Sequence, residues 1–140
     1  MVRLANEHDA DQLQSLNIAF NGKGDTNIDS IRTSIQKNRQ EVIVIDEEDS
    51  LLVGFVCVQL KKSFCYDDYM PEITEVYVDP GYRRKGIASR MILFAEEYCI
   101  GKYPLHKMEL LTGMKNLAAQ DAYRKLGYRM DGEIHLSKKI

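Results

Sequence analysis

The chain has 140 residues, of which 44% are hydrophobic and 29% are charged. This balance is that of an ordinary globular protein, and the length suits one domain, residues 1–140, with a substantial core. A formal net charge of −2 and a sequence pI near 5.9 argue against a nucleic-acid binder, because no basic excess is available to displace counterions. No segment resembles a signal peptide or a membrane span, so we expect a cytoplasmic protein without a membrane partner.

The cysteines and histidines indicate neither a disulfide framework nor a metal site. Cys57 and Cys99 lie in apolar runs and are expected to be reduced core residues, whereas Cys65 lies in a polar stretch. The three histidines are scattered without other metal ligands nearby: His8, His106 and His135. We therefore expect no metal, and no acyl-cysteine intermediate, since no Cys-His arrangement is present.

The first forty residues predict a short strand and two helices. Residues 2–5 favour a strand, and Asn6 or Asp9 can cap the first helix. A second helix is predicted from about Asn27, where isoleucines recur at positions i, i+3 and i+7. The polar faces of this helix and the glycine pair before it are typical of a mobile flap.

A hairpin and a long strand–helix unit follow. Residues 42–45 and 51–60 predict two strands joined by a polar turn, and Gly54 indicates either a bulge or a close backbone approach. β-Branched and aromatic residues predict a further strand over residues 73–78. Asp79-Pro-Gly ends that strand, and helical spacing begins at Gly86 and continues to near Gly101.

The last third of the chain predicts a strand, a helix and two short strands. Residues 106–111 alternate weakly and favour a strand. Asn116 can cap a helix that runs to Leu126, and Gly127 is well placed to end it. Two final strands are predicted around a tight turn at Asp131-Gly132, namely Tyr128 to Met130 and Glu133 to Ser137.

The resulting order is β-α-α-β-β-β-α-β-α-β-β, which indicates an α/β fold. The strand at residues 73–78, its helix and the strand at residues 108–111 predict a right-handed crossover that makes the two strands parallel. The early hairpin is antiparallel. We therefore expect a mixed central β-sheet with helices on both faces.

The junction between the strand at residues 73–78 and the next helix is the leading candidate for a binding site. A helix N-terminus presents unpaired backbone N–H groups, and Gly86 allows an anion to approach the backbone closely. Arg83, Arg84 and Lys85 add positive charge beside it. A phosphate or pyrophosphate would suit this arrangement, although a helix start with a solvated basic turn fits the residues alone equally well.

Two motifs then resemble one family. Arg83-Arg-Lys-Gly-Ile-Ala88 is similar to the Arg/Gln-x-x-Gly-x-Gly/Ala signature of the GNAT superfamily of acyl-CoA-dependent N-acetyltransferases. The segment from Asn116 to Tyr128 resembles a second feature of the same family. The likeness is specific over residues 73–92 and 112–128, and follows the family in element order over most of the chain. It implies the GNAT-like fold and an enzyme that transfers an acetyl group from acetyl-CoA to an amine.

The resemblance also implies which residues meet acetyl-CoA. Arg83 to Ser89 would wrap the pyrophosphate, chiefly through main-chain N–H groups. Val76 and Val78 would present main-chain groups to the acetyl and pantetheine portion, and Asn116 would contact the pantetheine. The residues assigned to the cofactor are Val76, Tyr77, Val78, Arg83, Arg84, Lys85, Gly86, Ile87, Ala88, Ser89, Asn116, Ala119 and Tyr123.

Two side chains are candidates for the chemistry of direct acetyl transfer. Glu75 lies on the strand that leads into the motif and is the candidate base, although a solvent-facing or ion-paired strand residue would look the same. The resemblance implies that Tyr123 protonates the departing thiolate. Tyr123 also shares a helix face with small and apolar residues, so core packing is the competing interpretation.

The identity of the acceptor is open at this stage. Asp67, Asp68 and Glu72 precede the central strand and could form an acidic rim for a cationic amine, or could be ordinary surface carboxylates. A small-molecule amine is preferred to a protein substrate, and a homodimer is possible. The competing function is a non-catalytic acyl-CoA-binding or regulatory module with the same fold.

Overall fold

A computed structural model describes residues 1–140 as one five-stranded sheet with four helices. The strands are β1 (Val2–Leu4), β2 (Glu41–Glu48), β3 (Leu51–Lys61), β4 (Met70–Val78) and β5 (Glu109–Leu110). The helices are α1 (Ala10–Asn21), α2 (Ile28–Lys37), α3 (Ile87–Lys102) and α4 (Leu117–Lys125). Single 3₁₀ turns precede α1 and follow β4, at Glu7–Asp9 and Pro80–Tyr82. None of these helices combines the length and the hydropathy that a membrane span requires.

The strands lie in the sheet in chain order. β1 to β4 pair antiparallel, and β5 pairs parallel to β4. The prediction of a mixed sheet with a parallel crossover through α3 is therefore confirmed. Asn6 caps the turn at Glu7–Asp9 and α1 begins at Ala10, so the helix start follows both candidate caps.

Helices cover both faces of the sheet, as predicted. On one face, α3 packs through Met91, Ile92 and Cys99 against apolar side chains of β2, β3 and β4. On the other face, α1 packs through Leu13 and Leu16 against side chains of the same strands, and α2 adds partly buried isoleucines. The alternation of side chains along β2 and β3 supplies both cores, because successive residues point to opposite faces.

Gly54 lies beside a bulge and also at a close approach, so both features predicted for it are present. The β2–β3 register shifts just after the Asp46–Gly54 pair. A Cβ atom at Gly54 would lie 2.6 Å from the Tyr77 carbonyl oxygen and 3.0 Å from the Met91 Cε. The missing side chain therefore allows the first turns of α3 to sit against β3 and β4.

The predicted strands at Tyr128 to Met130 and Glu133 to Ser137 are wrong, because the chain has no strand after β5. Their apolar side chains are exposed instead, with Ile134 at 83% and Leu136 at 86% of full exposure. β5 is only two residues long and offers almost no edge to a following strand. The observed order is therefore β-α-α-β-β-β-α-β-α.

Candidate active site

β4 and β5 separate from each other and leave a gap in the sheet. They pair only at Glu72–Glu109 and Ile73–Leu110, with one earlier bridge between Tyr69 and Leu105. The rest of β4, residues 74–78, has no partner on that side. The gap therefore opens toward the C-terminal end of β4.

The main chain of Val76 and Val78 faces this gap. The Asp79 N–H donates to the Val53 carbonyl at 2.8 Å, and the bonding of an antiparallel ladder alternates along the strand. Tyr77 is therefore bonded to β3, while Val76 and Val78 turn their N–H and C=O groups outward. The Val78 carbonyl accepts a hydrogen bond from Arg83 Nε at 2.8 Å, in agreement with this orientation.

Beyond the end of β4, residues Arg83 to Ser89 form a concave turn that we call the cradle. Arg84 and Gly86 have left-handed backbone conformations, with φ of 63° and 75°, and α3 begins directly after Gly86. No backbone N–H group from Arg83 to Ser89 donates a hydrogen bond within the chain. The cradle therefore presents a row of free donors at the positive end of the α3 dipole, which is an anion-binding arrangement.

The side chains of the cradle differ in exposure and contacts. The Arg83 guanidinium lies 5.7 Å from the centre of the Tyr77 ring, and Lys85 Nζ lies 5.4 Å from that of Tyr82. Arg84 is exposed and makes no ion pair. Ile87 is buried in the core, so it can reach a ligand only through its main chain. The remaining members are the half-buried Ala88 and Ser89.

Helix α4 flanks the gap on the α3 side of the sheet. The Asn116 Oδ1 accepts a hydrogen bond from the Ala119 N–H at 3.2 Å, which confirms the predicted cap and leaves the Asn116 amide NH₂ free to donate. Gly127 follows the helix with φ of 102°, as expected for its end. Tyr123 is half-buried against the α3-side core, and its hydroxyl has no hydrogen-bond partner. Burial raises the pKa of Tyr123 and keeps the hydroxyl protonated.

Glu75 lies where β4 leaves β5, at a bulge. Thr74 is an extra residue between the Cys57–Glu75 and Val58–Ile73 pairs, and its hydroxyl donates to the Glu75 carboxylate. Glu75 shares a row with Cys57, so its side chain lies on the face covered by α1 and α2. Glu75 and Tyr123 are therefore on opposite faces of the sheet, and the gap between β4 and β5 connects the two faces.

The sequence interpretation missed a second carboxylate near Glu75. Glu41, at the start of β2, accepts a hydrogen bond from Gln59 Nε2 at 2.9 Å. Burial, and then the charge of Glu75, raise the pKa of Glu41. Burial and the charges of both glutamates also raise the pKa of the Cys57 thiol, which excludes it as a thiolate nucleophile at neutral pH. Only the position of Glu41 beside an apolar run could have indicated its partial burial.

Two carboxylates of the predicted acidic rim contact neighbouring side chains. Asp68 lies 3.0 Å from His106 Nδ1, and Glu72 lies 3.2 Å from Lys61 Nζ. No group of three or more His, Cys, Asp or Glu side chains is arranged to hold a metal ion. The three cysteines are free, with Cys99 buried and Cys65 exposed.

Comparisons with known proteins identify the family of this chain. The family model described as "Acetyltransferase (GNAT) family" matches residues 10–128. This match covers most of the chain, including both motifs. The chain belongs to the GNAT acetyltransferase family.

Relatives of known sequence support this membership over parts of their length. Spermidine N(1)-acetyltransferase of Escherichia coli K12 is 33% identical over 60 residues, which cover 43% of this chain and 32% of the relative. An uncharacterized N-acetyltransferase of Methanocaldococcus jannaschii is 29% identical over 111 residues, 76% of this chain and 49% of the relative. The chain thus spans about a third to a half of the length of these curated relatives.

A solved GNAT structure confirms the fold across the whole chain. AAC(6')-Iy, in complex with the bisubstrate analogue CoA-S-monomethyl-acetylneamine, superposes with a TM-score of 0.87 at 17% identity. The superposition covers 100% of this chain and 97% of that one. The GNAT-like fold is therefore present.

Proposed function

We propose that this protein transfers an acetyl group from acetyl-CoA to a primary amine of a small, cationic acceptor. The observation that carries the proposal is the row of free backbone N–H groups in the cradle beside the outward main chain of Val76 and Val78. A pyrophosphate requires many donors at one helix N-terminus, and a pantetheine chain requires amide partners along a strand edge. Both are available within one stretch of chain, residues 76–89.

In this mechanism, each step uses a group that borders the gap. Glu75 removes the proton from the incoming ammonium group, directly or through water, so that the free amine can attack. The Val76 N–H polarises the thioester carbonyl as negative charge develops on its oxygen. Tyr123, neutral at assay pH, donates its proton to the departing thiolate. Attack from the α1–α2 side and departure on the α4 side match the opposite positions of Glu75 and Tyr123.

A cationic acceptor is supported by the two carboxylates on the α1–α2 face. Burial, and after it the charge of Glu75, raises the pKa of Glu41, and an ammonium group between the two carboxylates would stabilise their ionised forms. The spermidine N(1)-acetyltransferase and AAC(6')-Iy, similar to this chain in sequence and in fold respectively, carry names or ligands that also point to small amines. We therefore favour a polyamine or an amino sugar over a protein lysine.

A thermal-shift titration with acetyl-CoA tests the binding step. A ligand at a hundred times its Kd stabilises the native state by about 2.7 kcal/mol, which raises the Tm by several degrees. Arg84→Glu should abolish most of this shift, because it places a negative charge beside the pyrophosphate. Arg39→Glu is the matched control, since Arg39 is an exposed arginine without an ion pair that precedes β2. No shift in the wild-type protein would refute the proposal.

An acceptor panel tests the transfer step. Spermidine, an aminoglycoside and a lysine peptide are incubated with acetyl-CoA, and the release of free CoA thiol is followed. We expect release with the polyamine or the amino sugar, and its loss in Glu75→Gln. Binding of acetyl-CoA without release to any amine would favour the non-catalytic acyl-CoA-binding module instead.

A further inference from the structure

The carboxylate with the least solvent exposure in the protein lies beneath the first turn of α3. The Asp46 side chain is fully buried near the end of β2, on the face that α3 covers. It accepts hydrogen bonds from the Met1 amino group at 2.9 Å and from Arg90 Nη2 at 3.0 Å. Burial by itself disfavours the ionised form, but these donors hold the pKa of Asp46 below its ordinary value. A charge is therefore maintained where the core would otherwise exclude it.

Arg90 connects this buried charge to the cradle. Its Nη1 donates to the Lys85 carbonyl at 3.2 Å, while its Nη2 donates to Asp46 and reaches the Glu48 carboxylate at 3.5 Å. The planar guanidinium can serve both sides at once because its donors diverge in a fixed fork. One side chain thus ties the end of β2 to a main-chain group of the cradle.

The position of the Lys85 carbonyl determines the direction of the Gly86 N–H. Lys85 lies between the two left-handed residues, Arg84 and Gly86. Rotating the peptide that follows Lys85 would turn the Gly86 N–H with it, since the carbonyl and the next N–H share one plane. At the other end, Arg83 is bonded to the Val78 carbonyl. The cradle is therefore anchored at its first residue and at Lys85 by arginine side chains that bind main-chain carbonyls.

We propose that Asp46 and Arg90 are positioning residues for the coenzyme, which hold the Lys85–Gly86 peptide in the orientation that binds pyrophosphate. This inference rests on the proposed function. Asp46 acts only through Arg90, and Arg90 acts through the Lys85 carbonyl. A preformed cradle binds more tightly because the ligand does not have to order it.

A simple electrostatic role for the same pair makes the opposite prediction for one variant. If Arg90 only attracted the phosphates, removal of the Asp46 charge would make the region more positive and would tighten binding. If Asp46 positions Arg90, its neutralisation loosens the cradle and weakens binding. The sign of the change in Asp46→Asn therefore separates the two roles.

The experiment measures the Kd of CoA and of S-acetylpantetheine, which lacks the pyrophosphate, by calorimetry. We expect Arg90→Met and Asp46→Asn each to weaken CoA binding about tenfold, the effect of losing one charge-assisted hydrogen bond. Arg90→Lys should rescue little, because a compact ammonium group cannot reproduce the fork. S-Acetylpantetheine should bind all variants equally. The double variant should be no weaker than Arg90→Met, since both residues act along one path.

A second measurement keeps the inference independent of coenzyme affinity and of folding. Amide hydrogen exchange without ligand should accelerate at residue 90, whose N–H donates to the Gly86 carbonyl, in Arg90→Met and in Asp46→Asn, while exchange in β2 and β3 stays slow. Arg129→Met is the matched control, because Arg129 also donates to main-chain carbonyls, of Arg124 and Tyr128, far along the chain from the cradle.

Three outcomes overturn the inference: tighter CoA binding by Asp46→Asn, equal weakening of S-acetylpantetheine, or unchanged exchange of the residue 90 amide in both variants. A wild-type protein that binds no CoA would instead refute the proposed function. The exchange measurement would still decide whether Asp46 and Arg90 order the cradle.

Discussion

The two helices that border the gap, α3 and α4, are held in contrasting ways. α3 packs against Gly54, and its first turn is bonded to the fully buried Asp46 through Arg90. Five of its side chains are buried, namely Ile87, Met91, Ile92, Ala95 and Cys99. α4 buries none, and is attached through half-buried side chains such as Tyr123 and Leu126. The contrast indicates that the cradle, which is the proposed pyrophosphate site, is built in advance, whereas the proposed thiolate end at α4 can adjust around a ligand.

The largest expected effect is on stability, at the contact between Gly54 and α3. Gly54→Ala should lower the free energy of unfolding by about 3 kcal/mol, because the new Cβ atom would meet the Tyr77 carbonyl at 2.6 Å. Gly101→Ala, in the last turn of α3 and with open space around it, should raise stability by about 0.5 kcal/mol through helix propensity. Urea unfolding measures both. Equal stabilities would contradict the view that Gly54 seats α3.

The chemical role of α4 is tested by Tyr123→Phe. Loss of the hydroxyl removes the proposed proton donor, so kcat should fall about 100-fold while the Kd for acetyl-CoA stays nearly constant. Tyr98→Phe is the control, since the Tyr98 hydroxyl contacts only Lys102 on α3. Unchanged kcat in Tyr123→Phe would assign that side chain to packing alone.

Hydrogen exchange sharpens the contrast between the helices. In the free protein, amides of α4 should exchange faster than those of α3, since α4 has fewer buried contacts. Added CoA should slow exchange in α4 more than in α3. Helix α2, which also buries no side chain but lies on the opposite face, serves as the reference and should not respond. Equal protection of α3 and α4 without ligand would break the comparison.

The smallest expected effect is on the stability of the protein at acidic pH. Because its folded-state pKa lies below the ordinary value of 3.8, Asp46 contributes stability that is present above that value and is lost as the pH falls through the lowered one. Asp46→Asn should therefore lose less stability than the wild-type protein as the pH falls below about 4. Glu41→Gln should show the opposite sign, gaining stability near pH 6, because the pKa of Glu41 is raised. Urea titrations at each pH provide the measurement.

The sequence predicted best those elements whose residues repeat with a clear local period. The helical spacing from Gly86, the strand at residues 73–78 and the Asn116 cap all describe neighbours along the chain, and each is present in the structure. The two motifs identified the family correctly for the same reason. Local patterns are sufficient where a few adjacent residues determine the outcome.

Pairing between distant residues could not be predicted in this way. The strands expected after Gly127 have suitable alternation, but a strand needs a partner, and β5 proved too short to supply one. Asp46 and Arg90 are 44 positions apart, and neither belongs to a pattern that would indicate the other. Glu41 likewise approaches Glu75 only because β2, β3 and β4 lie side by side.

The ion pairs of Lys61 at the closed end of the β4–β5 gap have a consequence for redesign of the gap. Lys61 Nζ lies 3.2 Å from the carboxylates of both Glu72 and Glu109, one on each strand, and so fastens the two where they pair. Side chains beyond Ile73 and Leu110 can therefore be varied to admit a bulkier acyl group while these ion pairs are kept. The width of the gap can thus be changed without disturbing the β4–β5 pairing.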